Sequence, residues 1–279
     1  MKRILFQILK FLIRNKIIPQ SISYRLIIFI IHQKNDFEFV CNYQGIKYKG
    51  NFKSYIDCFI YFTNVYEEEM VWFLKENANR KLNFIDVGAN CGAFALIMTR
   101  YFNSVHAFEP NPSLFNGVEE NVRINQFNNI FLHNIGLGDK DEFLTYFQAS
   151  EDNPNLGMGS FVNSNYDNLT PLENKLVVKN ASKYFYDKDI NNIGLIKIDV
   201  EGFERFVLSG LQQIIIENQC QIIMEWDHDT HLFLNEEKIK SLLPNYEIFK
   251  INKVKNKYKL EKFYFDVISG LNICLIPMK

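Results

Sequence analysis

Carboxylates that close apolar runs, and the glycines beside them, are the residues here whose types and spacing could do chemistry. Asp86 ends the run from Phe84 to Val87 and is followed by Gly88-Ala-Asn-Cys-Gly92. Glu109 ends the run from Ser104 to Phe108 and opens Glu109-Pro-Asn-Pro112. A carboxylate at a strand tip can accept hydrogen bonds from two ribose hydroxyls. Gly88 and Gly92 bracket a turn whose backbone can take unusual φ values and approach a ligand closely. The spacing then discriminates between ligands. A dinucleotide fingerprint needs glycines at the first, third and sixth positions. Counted from Gly88, those positions hold Gly88, Asn90 and Ala93. A P-loop would need Gly-Lys-Ser/Thr where Ala93-Phe94-Ala95 stand. The turn therefore suits a pyrophosphate poorly, and Asp86 beside it would repel one. A ligand with a cationic end and a ribose fits better, and S-adenosylmethionine has both. Its expected contacts are Asp86, Gly88, Asn90, Gly92 and Glu109.

The segments Asp86-Val-Gly-Ala-Asn-Cys-Gly92, Glu109-Pro-Asn-Pro112 and Ile196-Lys-Ile-Asp-Val-Glu-Gly-Phe-Glu204 together resemble the FkbM-type methyltransferases, in the family's order. Tyr66-Glu67 also resembles the segment that precedes the family's glycine loop. The resemblance runs from about Tyr61 to Trp226, and the third motif is its most specific part. It implies a Rossmann-like class I methyltransferase fold and S-adenosylmethionine-dependent O-methylation. The implied acceptor is a sugar hydroxyl in glycan, capsule or lipopolysaccharide biosynthesis. In such folds the turn Gly136–Lys140, which carries Asp139, borders the adenine.

Methyl transfer is an in-line displacement, so an acceptor atom must stand about 3 Å from the methyl carbon. An alcohol acceptor must also lose a proton. Residues for that work belong at the C-terminal ends of strands facing the ligand crevice. Asp199, Glu201 and Glu204 end or follow the run Leu195–Asp199, and Glu225, Asp227, His228, Asp229 and His231 end or follow Gln221–Trp226. Asp199 is the first candidate, Glu201 its nearest competitor and Glu225 the next. Glu201 and Glu204 could instead complement the positive end of the following helix. Lys197 lies within a buried strand and needs a partner such as Asp199 or Glu225. The stretch Glu225–His231 offers ligand types for a divalent ion, but neighbouring strand side chains point to opposite faces, and no metal is expected. A nicotinamide-dependent sugar oxidoreductase is the competing class, and Tyr184 and Lys188 have its Tyr-x-x-x-Lys spacing. A non-catalytic S-adenosylmethionine-binding module is another, opposed by the presence of Asp86, Glu109 and Asp199.

The elements that must position these residues alternate. Strands are predicted at 84–87, 104–108, 130–135, 195–199, 221–226, 246–253 and 272–277, with helices at 93–102, 112–125, 203–209 (stopped by Gly210) and 236–243. Such alternation argues an α/β fold with a mostly parallel seven-stranded sheet and helices on both faces. Residues 66–76 and 182–186 also read as helices, 142–148 and 176–178 as added strands, and 37–48 as a hairpin around Gln44-Gly45. The Asn/Ser/Gly-rich stretch Ser150–Pro171 reads as a substrate-side loop. The expected organisation is an extension over residues 1–60 and a methyltransferase domain over 61–279.

Composition adds bounds. An apolar fraction of 47% can supply a substantial core, and a net charge of −1 gives no basis for nucleic-acid binding. Five scattered cysteines without a C-x-x-C pair fit a reducing, cytoplasmic setting rather than a disulfide scaffold or zinc module. Residues 1–35 carry seven Lys/Arg and no acid, interleaved with apolar residues. No small-residue cleavage site follows, so no signal peptide is expected, and the apolar runs are too short to span a bilayer. The segment is expected to pack on the domain as a lid or to touch an anionic inner-membrane face.

Overall fold

The computed structural model describes residues 2–33, 35–149, 159–162, 169–226, 230, 234–254, 257–265 and 271–278. The chain opens with α1 (Lys2–Arg14), α2 (Gln20–His32), the hairpin β1 (Glu38–Tyr43) and β2 (Ile46–Asn51), α3 (Tyr55–Thr63) and α4 (Glu68–Glu76). Then come β3 (Asn83–Val87), α5 (Ala95–Met98), β4 (Val105–Phe108), α6 (Pro112–Asn125) and β5 (Ile130–His133). Short strands follow: β6 (Gly136–Gly138), β7 (Glu142–Leu144), β8 (Phe147–Ala149), β9 (Gly159–Ser160), β10 (Leu169–Pro171) and β11 (Leu176–Asn180). The chain continues with α7 (Ala181–Asp187), β12 (Ile193–Ile198), α8 (Glu204–Asn218), β13 (Gln221–Trp226), α9 (Glu236–Leu242), β14 (Tyr246–Val254), β15 (Lys257–Lys262) and β16 (Leu271–Pro277).

The central sheet has the order β15-β14-β16-β13-β12-β3-β4-β5. Pairing is parallel from β13 to β5 and antiparallel across β13, β16, β14 and β15. The chain leaves β3 for β4 on one side and reaches β12 on the other, so the strand order reverses between β3 and β12. That reversal opens a crevice beyond the strands' C-terminal ends. Alternation along each strand builds two cores. Phe84, Leu195, Ile223 and Cys274 face one layer, which holds residues of α1 to α6. Ile85, Val87, Ile196, Ile198, Met224 and Leu275 face the other, which holds residues of α7, α8 and α9. The fold is thus the expected Rossmann-like α/β class, with helices on both faces.

Several elements differ from the sequence expectation. The sheet has eight strands rather than seven, because the lysine-rich stretch after β14 forms the edge strand β15. The helix after the glycine turn spans only Ala95–Met98. It tightens into i→i−3 turns, with Arg100 N–H on the Ile97 carbonyl and Tyr101 N–H on that of Met98. Gly210 does not end α8, which runs on to Asn218 and closes at Gln219 with φ +46°. Gly210 is there for contact: a Cβ would stand 2.0 Å from the Gly138 carbonyl oxygen of β6. The helix α3 was not anticipated. Ser54 caps it by accepting from Asp57 N–H.

The N-terminal helices rest on α3. Phe6 and Ile13 of α1 are buried, and the Arg14 guanidinium donates to the Ile60 and Tyr61 carbonyls at 3.1 and 2.8 Å, which satisfies last-turn acceptors of α3. The hairpin is held by α6, whose Asn121 and Asn125 side chains accept from Lys49 and Lys47 N–H at 2.8 and 2.9 Å. All five cysteines are free.

Candidate active site

A cleft open to solvent lies at the C-terminal ends of β3, β4, β12 and β13. Its geometry begins with register. Lys197 and Asp86 are partners across the parallel pair β12 and β3, so their side chains lie side by side on one face. Both are fully buried. Lys197 Nζ stands 3.1 Å from Asp86 Oδ1 and 3.2 Å from Asp199 Oδ2, and it donates to the Gly88 carbonyl at 3.0 Å. Burial works to lower the Lys197 pKa, but the carboxylates of Asp199 and Asp86 outweigh it and hold the ammonium above the usual lysine range. Asp86 spends its second oxygen on Ala95 N–H at 3.0 Å. It therefore joins β3, α5 and β12 beneath the cleft and does not line it.

The glycine turn sits on this anchor. Gly88 has φ +76°, and a Cβ there would come within 1.8 Å of the Asp199 carbonyl oxygen. Only glycine lets the two turns pass so closely. Asn90, with φ +52°, and Gly88 line the cleft. Gly92, with φ +79°, packs toward Val118 and Leu96 and is not in the lining. Glu109 lines the cleft at the end of β4. Its two oxygens accept from Asn90 and Asn111 N–H at 2.8 and 2.9 Å. Burial pushes its carboxyl up to about 7, against those two N–H donors. Asp139 is exposed and lies outside the lining, which Gly136 and Leu137 of the same turn enter instead.

Three carboxylates predicted from two segments converge. Asp199, Glu201 and Glu225 each offer an oxygen within 4.8 Å of the others. Period-two alternation sets two of them: Asp199 is two residues beyond Lys197, and Glu225 two beyond Ile223, on the same sheet face. Glu201 is aimed by a tight turn with φ +53°, followed by Gly202 at +94°, and its carbonyl accepts from Ser160 Oγ at 2.6 Å. A divalent cation could be spanned by oxygens so placed. Glu204 is not with them. It is fully buried, accepting from Val200 N–H and Thr230 Oγ1, each at 2.9 Å, and so braces the turn from behind. Residues 227–229 and 231, which include the other predicted candidates Asp227, His228, Asp229 and His231, lie outside the described residues.

Some cleft residues escaped the sequence reading. Glu67 reads there as one of three helix-opening acids. Its left-handed backbone, φ +44°, instead turns it into the cleft. Burial, and then the negative charge of Asp199, raise its carboxyl to about 7. Its only sequence signal is the Tyr66-Glu67 pair. Tyr146, Phe161 and Phe203 form an aromatic wall, with Phe161 centred 5.2 Å from Tyr146 and 5.4 Å from Phe203. Gly159, Ser160 and Phe161 come from the predicted substrate-side stretch. Tyr184 is elsewhere: its hydroxyl meets His133 Nδ1 at 3.1 Å, outside the lining. That location gives no support to a Tyr-x-x-x-Lys dehydrogenase.

Residues 86–247 match the Methyltransferase FkbM domain. "Methyltransferase 1" of Beauveria bassiana (strain ARSEF 2860) is 30% identical over 142 residues, 46% of this chain and 57% of that protein. The aligned part of this chain thus spans little more than half of that curated relative. Among solved structures, Methyltransferase FkbM from Methylobacillus flagellatus KT aligns with a TM-score of 0.44 and 15% identity, covering 91% of this chain and 60% of that one. M. jannaschii TYW2 in complex with AdoMet aligns with a TM-score of 0.46 and 12% identity, covering 86% and 84%.

Proposed function

This chain belongs to the FkbM methyltransferase family, and we propose that it methylates a sugar hydroxyl of a small-molecule or glycan acceptor in glycan, capsule or lipopolysaccharide biosynthesis. It is a methyltransferase, and its cofactor is S-adenosylmethionine. We place the reaction in the cytoplasm, where that cofactor is made.

The observation that carries the cofactor assignment is the charge of the cleft. Among its described lining residues are the carboxylates Glu67, Glu109, Asp199, Glu201 and Glu225, against the ammonium of Lys197. A dinucleotide pyrophosphate would meet repulsion there, whereas a sulfonium and an ammonium meet attraction. Glu109 suits the ribose, because each oxygen accepts one backbone N–H and keeps a further lone pair. Asp86 acts on the cofactor's seat indirectly, through Lys197 and the Gly88 carbonyl.

Bound there, S-adenosylmethionine supplies a methyl carbon already activated by its sulfonium. The chain's own task is to place the acceptor and take its proton. Asp199 has one oxygen anchored on Lys197, which fixes the carboxylate and leaves Oδ1 to meet an acceptor hydroxyl. Glu201 and Glu225 each bring an oxygen within 4.8 Å of one on Asp199, near enough to orient the same hydroxyl. An alkoxide is far more basic than a carboxylate, so a carboxylate would take the hydroxyl proton as the methyl's C–S bond gives way to the new C–O bond rather than before it, leaving S-adenosylhomocysteine and the methyl ether.

Calorimetry with S-adenosylhomocysteine and with NAD tests the first half of this reading. Binding of the former and none of the latter is expected, and tight NAD binding alone would end it. Methyl transfer to candidate nucleotide sugars and glycolipids, followed by mass spectrometry of the products, tests the acceptor class.

A further inference from the structure

Half of the large hydrophobic residues exposed among the described residues lie before residue 34. They are Ile4, Leu5, Ile8, Phe11, Ile17, Ile22, Tyr24 and Phe29. Each N-terminal helix therefore has two apolar faces. On α1, Phe6 and Ile13 recur at i, i+7 and are buried against the protein. Ile4, Ile8 and Phe11 recur at i, i+4, i+7, so they share another face, and Phe11 is 61% exposed. On α2, Ser23, Ile27, Ile30 and Ile31 are buried. Ile22 and Phe29 recur at i, i+7 on the opposite side, with exposed Arg25 between them, and Phe29 is 63% exposed. Docking thus leaves a second apolar face of these helices uncovered.

We propose that this second face of α1 and α2 is a membrane-binding surface that lies along an anionic lipid bilayer. Charge selects the occupant. Residues 1–35 contain seven Lys/Arg and no acid. Arg14 is spent on α3 and Lys10 lies over the Tyr61 ring, but Lys2, Arg3, Lys16 and Arg25 are exposed and complement anionic headgroups while the apolar residues enter the acyl boundary. A second copy of this chain would have to set those cations against each other across an isologous contact. Length selects the mode. Each helix has 13 residues, about 20 Å at the helical rise, against a hydrocarbon core of about 30 Å. No helix among the described residues is long and apolar enough to cross a membrane. The surface is also firmly mounted. Arg14 caps α3, the Tyr24 ring meets Phe59 of α3 at 5.7 Å, and α3 in turn sends Ile56 into the cleft.

Flotation of the full chain with phosphatidylglycerol vesicles and with phosphatidylcholine vesicles tests the surface. Partitioning into the first should exceed that into the second by about tenfold or more, and should weaken with salt. The combined substitutions Ile8→Ser, Phe11→Ser and Phe29→Ser should lower it by at least about tenfold. These side chains are exposed, so S-adenosylhomocysteine affinity and thermal unfolding should stay unchanged in the same protein. Absence of partitioning into either vesicle would overturn the proposal, as would unchanged partitioning of the substituted chain. So would a concentration-dependent dimer, seen by sedimentation, that the same substitutions dissociate. None of these outcomes bears on methyl transfer, which the cofactor titration reads separately.

Discussion

Single carboxylates in this cleft do different work because their partners differ. Glu109 has two backbone donors and little solvent, and its pKa is pushed up to about 7 by burial. The free protein is therefore only partly ionised there at neutral pH, while the proposed contact with two ribose hydroxyls is best made by the ionised form. Affinity for S-adenosylhomocysteine should fall as pH drops from about 8 to about 6, approaching tenfold per unit on the acid side, with a proton released on binding. Calorimetry in buffers of different ionisation heat reads both quantities. Glu67, also near 7, contributes to the slope with the same sign, so Glu109→Gln should flatten the profile without abolishing it. At the basic end that variant should weaken binding by about 1.5–3 kcal/mol, the range for a hydrogen bond to a charged group. Asp199 differs, being half-buried and anchored on Lys197, and we propose it for the acceptor. Asp199→Asn should keep S-adenosylhomocysteine affinity while turnover falls by about 10²–10⁴-fold, the span for a general base. Near-normal turnover would move the role to Glu201, Glu225 or Glu67. Lost cofactor affinity would place Asp199 in the cofactor site.

Between elements, the decisive contacts are those where register or close approach leaves no alternative. The β3–β12 register sets Lys197 against Asp86, so Lys197→Met strands a buried carboxylate. We expect a loss of about 3–5 kcal/mol, as for removing one member of a buried ion pair, measurable by urea denaturation. Gly210→Ala forces a methyl into the Gly138 carbonyl. Since backbone must move, the loss should be at least about 1–3 kcal/mol, the cost of overpacking, although alanine favours helix elsewhere. These two residues also show what is legible in the sequence. Period-two alternation within a strand puts Asp199 on the face of Lys197, and the need of a buried lysine for a carboxylate offers Asp199 or Glu225 as its partner, of which the structure pairs Asp199. The second partner, Asp86, depends on inter-strand register, which single-strand patterns do not encode. Gly210 reads as a stop because glycine commonly ends helices. Here close packing of α8 on β6 overrides that local preference. Glu67 is hidden by a backbone turn with positive φ, which its residue type does not announce.

At the scale of the molecule, the first 60 residues are tied into the catalytic unit. One core layer runs from Phe6 through Phe52, Phe62 and Phe84 to Cys274. The buried Asp57 carboxylate accepts from Tyr48 Oη at 2.6 Å and from Asn51 N–H at 2.8 Å, joining the hairpin to α3. Burial still pushes that carboxyl up to about 6 despite these donors. Its stability contribution is therefore present below the unfolded value and is lost as pH rises through about 6. Cys91 of the glycine loop shares a cavity lining with Tyr48 and Asp57, and α3 supplies Ile56 to the main cleft. We therefore propose that residues 1–60 are an extension that completes a methyltransferase domain over 61–279. A chain shortened to begin at Tyr61 would lack Phe6, Ile27, Phe52 and Ile60, all buried in the shared layer. It should lose S-adenosylhomocysteine binding and any cooperative transition. The full chain should unfold in one step, with far- and near-ultraviolet circular dichroism coinciding. A shortened chain that still binds S-adenosylhomocysteine and melts cooperatively would show that the glycine loop and its carboxylates are organised by the sheet alone.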